Sequence, residues 1–208
     1  MRDRDEVQRY TFTERFVHWV VALSFSYLLL TGLALYTPGM YWLAAVFGGG
    51  PVIRAWHPIV GVVFFVFLMI MYFMWRRDMR LDDLDRAWLR QARKYALGEE
   101  EGLPEAGRFN AGQKMLFKVM AFFGTVLLLS GIPLWFPLTF GTSLRRIAIL
   151  AHEISFIVVA GAIIVHVYMG TAVVRGSWRA MTTGWVSRTW ARVHHPRWYR
   201  QISGESME

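Results

Sequence analysis

The 208-residue sequence contains no cysteine, and this absence excludes several kinds of site at once. A covalently attached c-type haem, a cysteine-ligated iron–sulfur cluster, a thiolate zinc site and a disulfide all require cysteine sulfur. Any redox centre held by this chain must therefore use histidine, of which the sequence has six.

Charged residues are also absent over long stretches of the sequence, which is 55% hydrophobic and only 18% charged. The apolar residues collect in four blocks of about 20 residues, the length of helix that crosses a hydrocarbon core about 30 Å thick. We predict an all-α integral membrane four-helix bundle, formed as a single domain over residues 1–208. The predicted spans are residues 16–36, 55–75, 119–136 and 147–174.

The net charge of +8 is explained by membrane topology and does not require a nucleic acid partner. Lys and Arg number 4 before the first block, 10 from Arg76 to Lys118 and 6 from Arg175 onward, against 3 in the other two connecting segments. Basic residues concentrate on the cytoplasmic side of membrane proteins. We therefore expect both termini and the central loop to be cytoplasmic, with membrane lipids as surroundings.

The central loop carries an amphipathic pattern, with apolar residues at spacings of three and four: Leu81, Leu84, Trp88, Ala92 and Tyr95. The pattern predicts one helix lying at the membrane interface. A solvated connecting helix without membrane contact is the alternative interpretation.

Four of the six histidines fall inside the predicted spans, where ionisable residues are costly and usually functional: His18, His57, His152 and His166. The predicted topology puts His57 and His152 at the outer ends of their spans, and His18 and His166 toward the cytoplasm. His166 follows His152 by 14 residues. That spacing corresponds to a rise of about 21 Å and a return to within roughly 40° of the same helix face. The four histidines thus form an outer and an inner pair.

Two imidazoles from facing helices are the usual axial ligands of a six-coordinate haem b, so the pairs predict two haem b groups inside the bundle. Membrane histidines that only hydrogen-bond backbone carbonyls are the structural alternative. A zinc site would need three or four protein ligands, and each pair provides two.

Arginines and glycines near the histidines add to this prediction. Arg15 and Arg54 each precede a histidine by three residues, which makes them candidate contacts for haem propionates. A positive-inside anchor explains Arg15 equally well.

Gly32 lies at the depth of the outer pair and could make room for a macrocycle, although ordinary helix packing is an alternative. In the third span, Gly131 follows Gly124 by seven residues on one face, where neighbouring backbones can approach closely.

The sequence resembles the cytochrome b (gamma) subunits of respiratory, membrane-bound formate dehydrogenases over nearly its whole length. The resemblance is carried by the 14-residue histidine spacing and by five segments: residues 14–19 (ERFVHW), 48–50 (GGG), 57–58 (HP), 110–114 (NAGQK) and 190–200 (WARVHHPRWYR). The segments at 110–114 and 190–200 are the most specific. His194 and His195 of the tail are interpreted as packing or contact residues at the cytoplasmic face.

The resemblance implies a multi-pass subunit of the bacterial inner membrane, not itself catalytic for formate. Its implied partners are an iron–sulfur (beta) subunit and a catalytic molybdenum or tungsten (alpha) subunit, arranged as a trimer of heterotrimers. Implied ligands are His57 and His152 for the outer haem, and His18 and His166 for the inner haem. A menaquinone or ubiquinone site is implied at Asn110, Gly112 and Gln113. Electrons from formate oxidation would cross the membrane and reduce quinone near the cytoplasm.

Three other functions are compatible with the sequence. A stand-alone small cytochrome b would need no partner enzyme. The cytochrome b subunit of a membrane-bound hydrogenase shares the same general architecture and would be associated with a nickel enzyme. A haem-free membrane anchor would dock a peripheral enzyme and would tolerate substitution of the histidines. Without the resemblance, Asn110 is a plausible N-cap at the start of the third span.

Overall fold

The computed structural model describes residues 5–99 and 102–204 and is dominated by four long helices. They are α1 (Phe12–Tyr36), α3 (Gly50–Trp75), α6 (Ala111–Trp135) and α7 (Thr142–Tyr168), the last continued by a π-helical segment at Met169–Val173. All four are long and apolar enough to cross a membrane. This confirms the prediction of a mainly helical protein with four helices of membrane-spanning length and composition.

The long helices begin four to eight residues earlier than the predicted spans. Their first turns carry charged side chains such as Arg15, Arg54 and Lys114, which a search for uncharged blocks leaves out. Helix α6 shows what sets the true start. The backbone N–H of Asn110 donates to Gln113 Oε1 at 3.0 Å, and the N–H of Gln113 donates to Asn110 Oδ1 at 2.9 Å. This reciprocal capping box starts the helix eight residues before the predicted position.

Shorter elements connect the long helices: a 3₁₀ turn at Pro38–Met40, α2 (Leu43–Val46), α4 (Asp83–Leu89), α5 (Ala92–Ala96), α8 (Ser177–Thr182), α9 (Arg188–His194) and α10 (Pro196–Ser203). Two strands, β1 (Glu6–Gln8) and β2 (Trp185–Ser187), pair antiparallel with Val7 opposite Val186. The sheet was absent from the sequence predictions. The prediction of one amphipathic helix in the central loop was wrong, since α4 ends at Leu89 and α5 begins at Ala92.

The described residues fall into two compact units. The apolar unit comprises Phe16–Phe73 and Val119–Ala162, and the polar unit comprises the described residues of Met1–Arg15, Met74–Lys118 and Ile163–Glu208. Each long helix contributes residues to both units.

Within the apolar unit, aromatic rings and glycines bring the helices together. The Phe25 and Phe64 rings join α1 to α3 at 5.9 Å between centroids. Against α3, a Cβ added at Gly124 of α6 would lie 2.5 Å from Leu68 Cδ2, so a side chain at this position would require Leu68 to shift. This agrees with the predicted close packing at Gly124. Outward-facing apolar residues remain exposed, such as Leu23 at 65%, which suits a lipid environment.

The polar unit is held by ion pairs and hydrogen bonds. Glu14 accepts hydrogen bonds from Trp75 Nε1 at 2.7 Å and from Arg108, which also pairs with Asp78. The carboxylate therefore ties α1 to the end of α3 and to the segment before α6. Its position within the ERFVHW segment gives that motif a structural role.

Candidate functional site

The structure brings the rings of His57 and His152 close together inside the apolar unit. His57 lies in the second turn of α3 and His152 in the third turn of α7, and their ring centroids are 6.5 Å apart with the planes tilted by 55°. These are the two histidines assigned to the outer pair.

Each ring is held by a hydroxyl from a neighbouring helix. Thr31 Oγ1 of α1 lies 2.8 Å from His57 Nδ1, and Ser130 Oγ of α6 lies 3.0 Å from His152 Nδ1. All four long helices therefore contribute to this arrangement.

Glycines adjoin both rings. A Cβ added at Gly32 would lie 3.5 Å from His57 Cε1, and one added at Gly131 would lie 3.6 Å from His152 Cε1. An alanine would reach van der Waals contact with the ring, and a larger side chain would displace it. Gly32 and Gly131 therefore lie directly beside the two histidine rings.

The separation of the rings fits a metal ion held between two axial imidazoles. Two metal–nitrogen bonds of about 2.0 Å, each with about 1.1 Å more to the ring centre, place such rings roughly 6.2 Å apart. Within the described ranges, no group of three or more His, Asp or Glu side chains could enclose an ion. Two histidines alone suit haem, which supplies the other four ligands to its iron.

The other predicted ligands lie on the expected helices. His18 is on α1, where its ring contacts Trp19 edge-on at 5.7 Å between centroids, and His166 is near the end of α7. His152 and His166 lie on one continuous helix, as the 14-residue spacing requires. His18 belongs to the apolar unit and His166 to the polar unit, so their pairing stays a prediction.

The two arginines differ in their surroundings. Arg15 donates from Nη1 to the carbonyl of Thr182, whereas Arg54 is exposed on the first turn of α3, one turn before His57. A propionate contact stays a prediction for both.

The residues of the predicted quinone site lie together at the start of α6. Asn110 is 4% exposed and donates from Nδ2 to the hydroxyl of Tyr95 at 3.0 Å, in addition to its capping bonds. Gly112 adjoins the Trp88 indole, 3.3 Å from an added Cβ. Among the described residues, no hydrogen bond occupies Gln113 Nε2, which leaves this nitrogen as a donor. An open pocket between Asn110, Trp88 and Tyr95 lies beside this group.

The tail histidine His195 is a packing residue, as predicted. It is 3% exposed, donates from Nδ1 to the carbonyl of Gly107 at 2.8 Å, and accepts from Arg9 at Nε2. Burial, with the neighbouring Arg9 charge, holds the pKa of His195 well below 6.5. Burial likewise lowers the pKa of Arg9, whose guanidinium lies 4.4 Å from the Trp198 ring centroid. Arg9 and His195 connect the segments that follow β1 and α9 to the segment before α6.

Thr31 and Ser130 were missed by reasoning from the sequence. A signal was present, since each is a hydroxyl inside an apolar span directly before one of the glycines already singled out.

The sequence model of the family described as prokaryotic cytochrome b561 matches residues 9–184. The chain belongs to the prokaryotic cytochrome b561 family. Membership in this family implies haem b as cofactor and electron transport within a membrane. The histidine pair of α3 and α7 provides a donor set of the kind that such a cofactor needs.

Several relatives of this cytochrome b561 family member are similar along its whole length. It is 36% identical to the cytochrome b556(fdo) subunit of formate dehydrogenase from Escherichia coli K12, covering 97% of this chain and 96% of the relative. The nitrate-inducible formate dehydrogenase cytochrome b556(Fdn) subunit of the same organism is 36% identical, with 94% and 91% covered. The formate dehydrogenase cytochrome b556 subunit of Haemophilus influenzae Rd is 34% identical, with 93% and 82% covered. The resemblance inferred from the motifs is confirmed.

Proposed function

We propose that this protein is the dihaem cytochrome b subunit of a membrane-bound formate dehydrogenase, which carries electrons from an iron–sulfur partner subunit across the membrane to quinone. The paired imidazoles of His57 and His152, 6.5 Å apart between centroids, are the observation that carries the proposal. The similarity to formate dehydrogenase cytochrome b556 subunits over nearly the whole chain supports formate dehydrogenase among the possible partner enzymes.

In this proposal, His57 and His152 hold one haem b, and His18 and His166 hold a second. Haem b supplies a one-electron carrier when bound. The continuous helix α7 provides one histidine to each position, about 21 Å apart along the helix. Two carriers at different depths are what electron transfer across the membrane requires.

The quinone site is proposed at the start of α6, near the cytoplasm. The capping bonds hold the Gln113 amide with Oε1 toward the Asn110 backbone, so Nε2 is the group that can donate to a quinone carbonyl. Asn110 fixes this geometry through its own side chain, and Gly112 lets the Trp88 indole pack closely beside it.

A reduced-minus-oxidised visible spectrum with haem quantitation on the purified complex tests the haem assignment. We expect two haems in the wild type and one in each of His57→Ala and His166→Ala. Formate oxidation with an artificial dye should persist in both variants, because that reaction belongs to the partner. A colourless wild type would support the haem-free anchor, and full quinone reduction by His166→Ala would refute the proposed route.

Metal analysis of the co-purifying enzyme separates the two redox alternatives. Molybdenum or tungsten is expected for formate dehydrogenase, and nickel would identify a hydrogenase partner.

The Gln113→Glu variant tests the quinone site. Glutamate is the usual partner in a capping box, so the helix start is retained while the amide donor is lost. The loss of one hydrogen bond should lower kcat/KM for quinone by about fivefold to tenfold, with haem content unchanged. Gln91→Glu is the control for an added carboxylate, because the Gln91 side chain makes no capping bond. Unchanged quinone kinetics in Gln113→Glu would refute the role of Gln113 without affecting the haem assignment.

A further inference from the structure

Two hydroxyl–glycine pairs contact the rings of His57 and His152 in the same way. Thr31 and Gly32 on α1 adjoin the ring of His57, and Ser130 and Gly131 on α6 adjoin the ring of His152. In each pair the hydroxyl contacts Nδ1, and the glycine leaves space beside Cε1. The same arrangement occurs twice on different helices, which indicates that the two hydroxyl–glycine pairs have the same role.

The hydrogen-bond distances favour one position for the proton on each histidine ring. Thr31 Oγ1 lies 2.8 Å from the carbonyl oxygen of Tyr27, and Ser130 Oγ lies 2.6 Å from that of Val126. A carbonyl oxygen can only accept, and a hydroxyl has one hydrogen to donate. Each hydroxyl therefore donates to its own helix and accepts from the histidine. This arrangement requires the hydrogen of His57 and of His152 to be on Nδ1, since each hydroxyl can then only accept from the ring.

A neutral imidazole protonated at Nδ1 keeps its lone pair on Nε2. Ring nitrogens that bind a metal are commonly oriented by a hydrogen bond at the other nitrogen. We propose that Thr31 and Ser130 are positioning residues that hold His57 and His152 in the Nδ1–H tautomer, with Nε2 presented to the iron of a haem. This inference rests on the proposed function for the identity of the metal group.

Hydrogen bonding of a hydroxyl to its own helix is common in membrane helices and does not by itself indicate a function. Ser24 of α1 and Thr125 of α6 each make such a bond, to Val20 at 2.6 Å and to Ala121 at 2.8 Å. Neither of them has a histidine partner among its hydrogen bonds. These two residues are therefore matched controls for the contact made by Thr31 and Ser130.

The hydroxyl acceptors should affect the redox behaviour of the bound group. A hydrogen bond from Nδ1 raises the basicity of the imidazole ligand, which favours the ferric over the ferrous state. Removing the acceptor should reduce that preference. For a one-electron couple, a tenfold change in the preference equals a rise of about 59 mV in midpoint potential.

The experiment compares Thr31→Val and Ser130→Ala with the controls Ser24→Ala and Thr125→Val, and with Thr31→Ser as the conservative variant. Potentiometric titration of the purified complex gives the midpoint potential of each haem, and the haem lost in His57→Ala identifies the relevant one. Electron paramagnetic resonance of the oxidised protein reports changes at its axial ligands. Haem content is measured in every sample.

We expect Thr31→Val and Ser130→Ala to raise the midpoint potential of the haem lost in His57→Ala and to alter its electron paramagnetic resonance signal. The other haem should be unchanged in these two variants. Both haems should be unchanged in the two controls and in Thr31→Ser. Loss of this haem from Thr31→Val that Thr31→Ser restores would support the same role. Unchanged potentials with full haem content in Thr31→Val and Ser130→Ala would overturn the inference and leave the proposed function intact. Loss of the haem from both Thr31→Val and Thr31→Ser would have the same meaning. A haem-free wild type would overturn both.

Discussion

A buried ion pair in the polar unit gives the sharpest prediction about stability. Lys114 Nζ lies 2.6 Å from Asp85 Oδ2 and also donates to the carbonyl of Arg80 at 3.0 Å. The side chains of Lys114 and Asp85 are only 8% and 7% exposed. Lys114→Met keeps the length of the side chain but leaves the Asp85 carboxylate buried without its cation.

Breaking a buried pair from one side costs about 3–5 kcal/mol, because a desolvated charge is left behind. Asp85 would retain the hydrogen bond from the Asp82 backbone at 2.8 Å, which favours the lower end of that range, about 3 kcal/mol. The surface pair of Arg86 with Asp83 is the matched control, with side chains 69% and 97% exposed. Exposed pairs contribute about 0–1 kcal/mol, so Arg86→Met should have little effect.

Denaturant unfolding of the detergent-solubilised protein measures both changes. Adding Asp85→Asn to Lys114→Met should recover part of the loss, because the amide keeps an oxygen for the cap of α4 and removes the unpaired charge. The reasoning would be refuted if Lys114→Met and Arg86→Met changed the free energy of unfolding by similar small amounts.

Three further predictions concern single positions. Gly184→Ala should lower the free energy of unfolding by about 1–3 kcal/mol in the same assay, because φ is +87° and an added Cβ would lie 2.7 Å from the Tyr10 carbonyl oxygen; a neutral result would contradict this. Burial depresses the pKa of His195, so its contribution to stability is complete above pH 6.5 and is lost as the pH falls below that value. The free energy of unfolding, measured from pH 8 to pH 5, should therefore decline in the wild type. The decline should be smaller in His195→Gln. Gly124→Ala should lower the thermal midpoint of unfolding, because the added methyl group overpacks against Leu68. In the double variant with Leu68→Ala, the midpoint should fall by less than the sum of the two single effects. A fall equal to that sum would argue against the contact.

The membrane helices could be predicted because they depend on local composition. The start of α6 could not, since the block of uncharged residues begins after Lys118, whereas the capping box of Asn110 and Gln113 begins the helix earlier. The strands β1 and β2 were missed for a related reason. Three-residue strands have no periodic pattern, and these two pair between residues near opposite ends of the chain.

The quinone prediction shows where a motif and its local role overlap. Asn110 and Gln113 were selected through a family resemblance, and their side chains prove to form a helix cap. The cap leaves the amide nitrogen of Gln113 as the donor for a ligand, a distinction that no residue spacing provides.

Composition and spacing were sufficient for four apolar helices and for two levels of histidines, because an uncharged run of about 20 residues can satisfy its backbone in lipid only as a helix. Helical geometry then set the relative depth of His152 and His166. The opposition of His57 to His152, and the hydroxyls at Thr31 and Ser130, required the folded bundle. These partners are 26 and 22 residues away from their histidines, on other helices, and only side-chain packing between helices brings such groups within hydrogen-bonding distance.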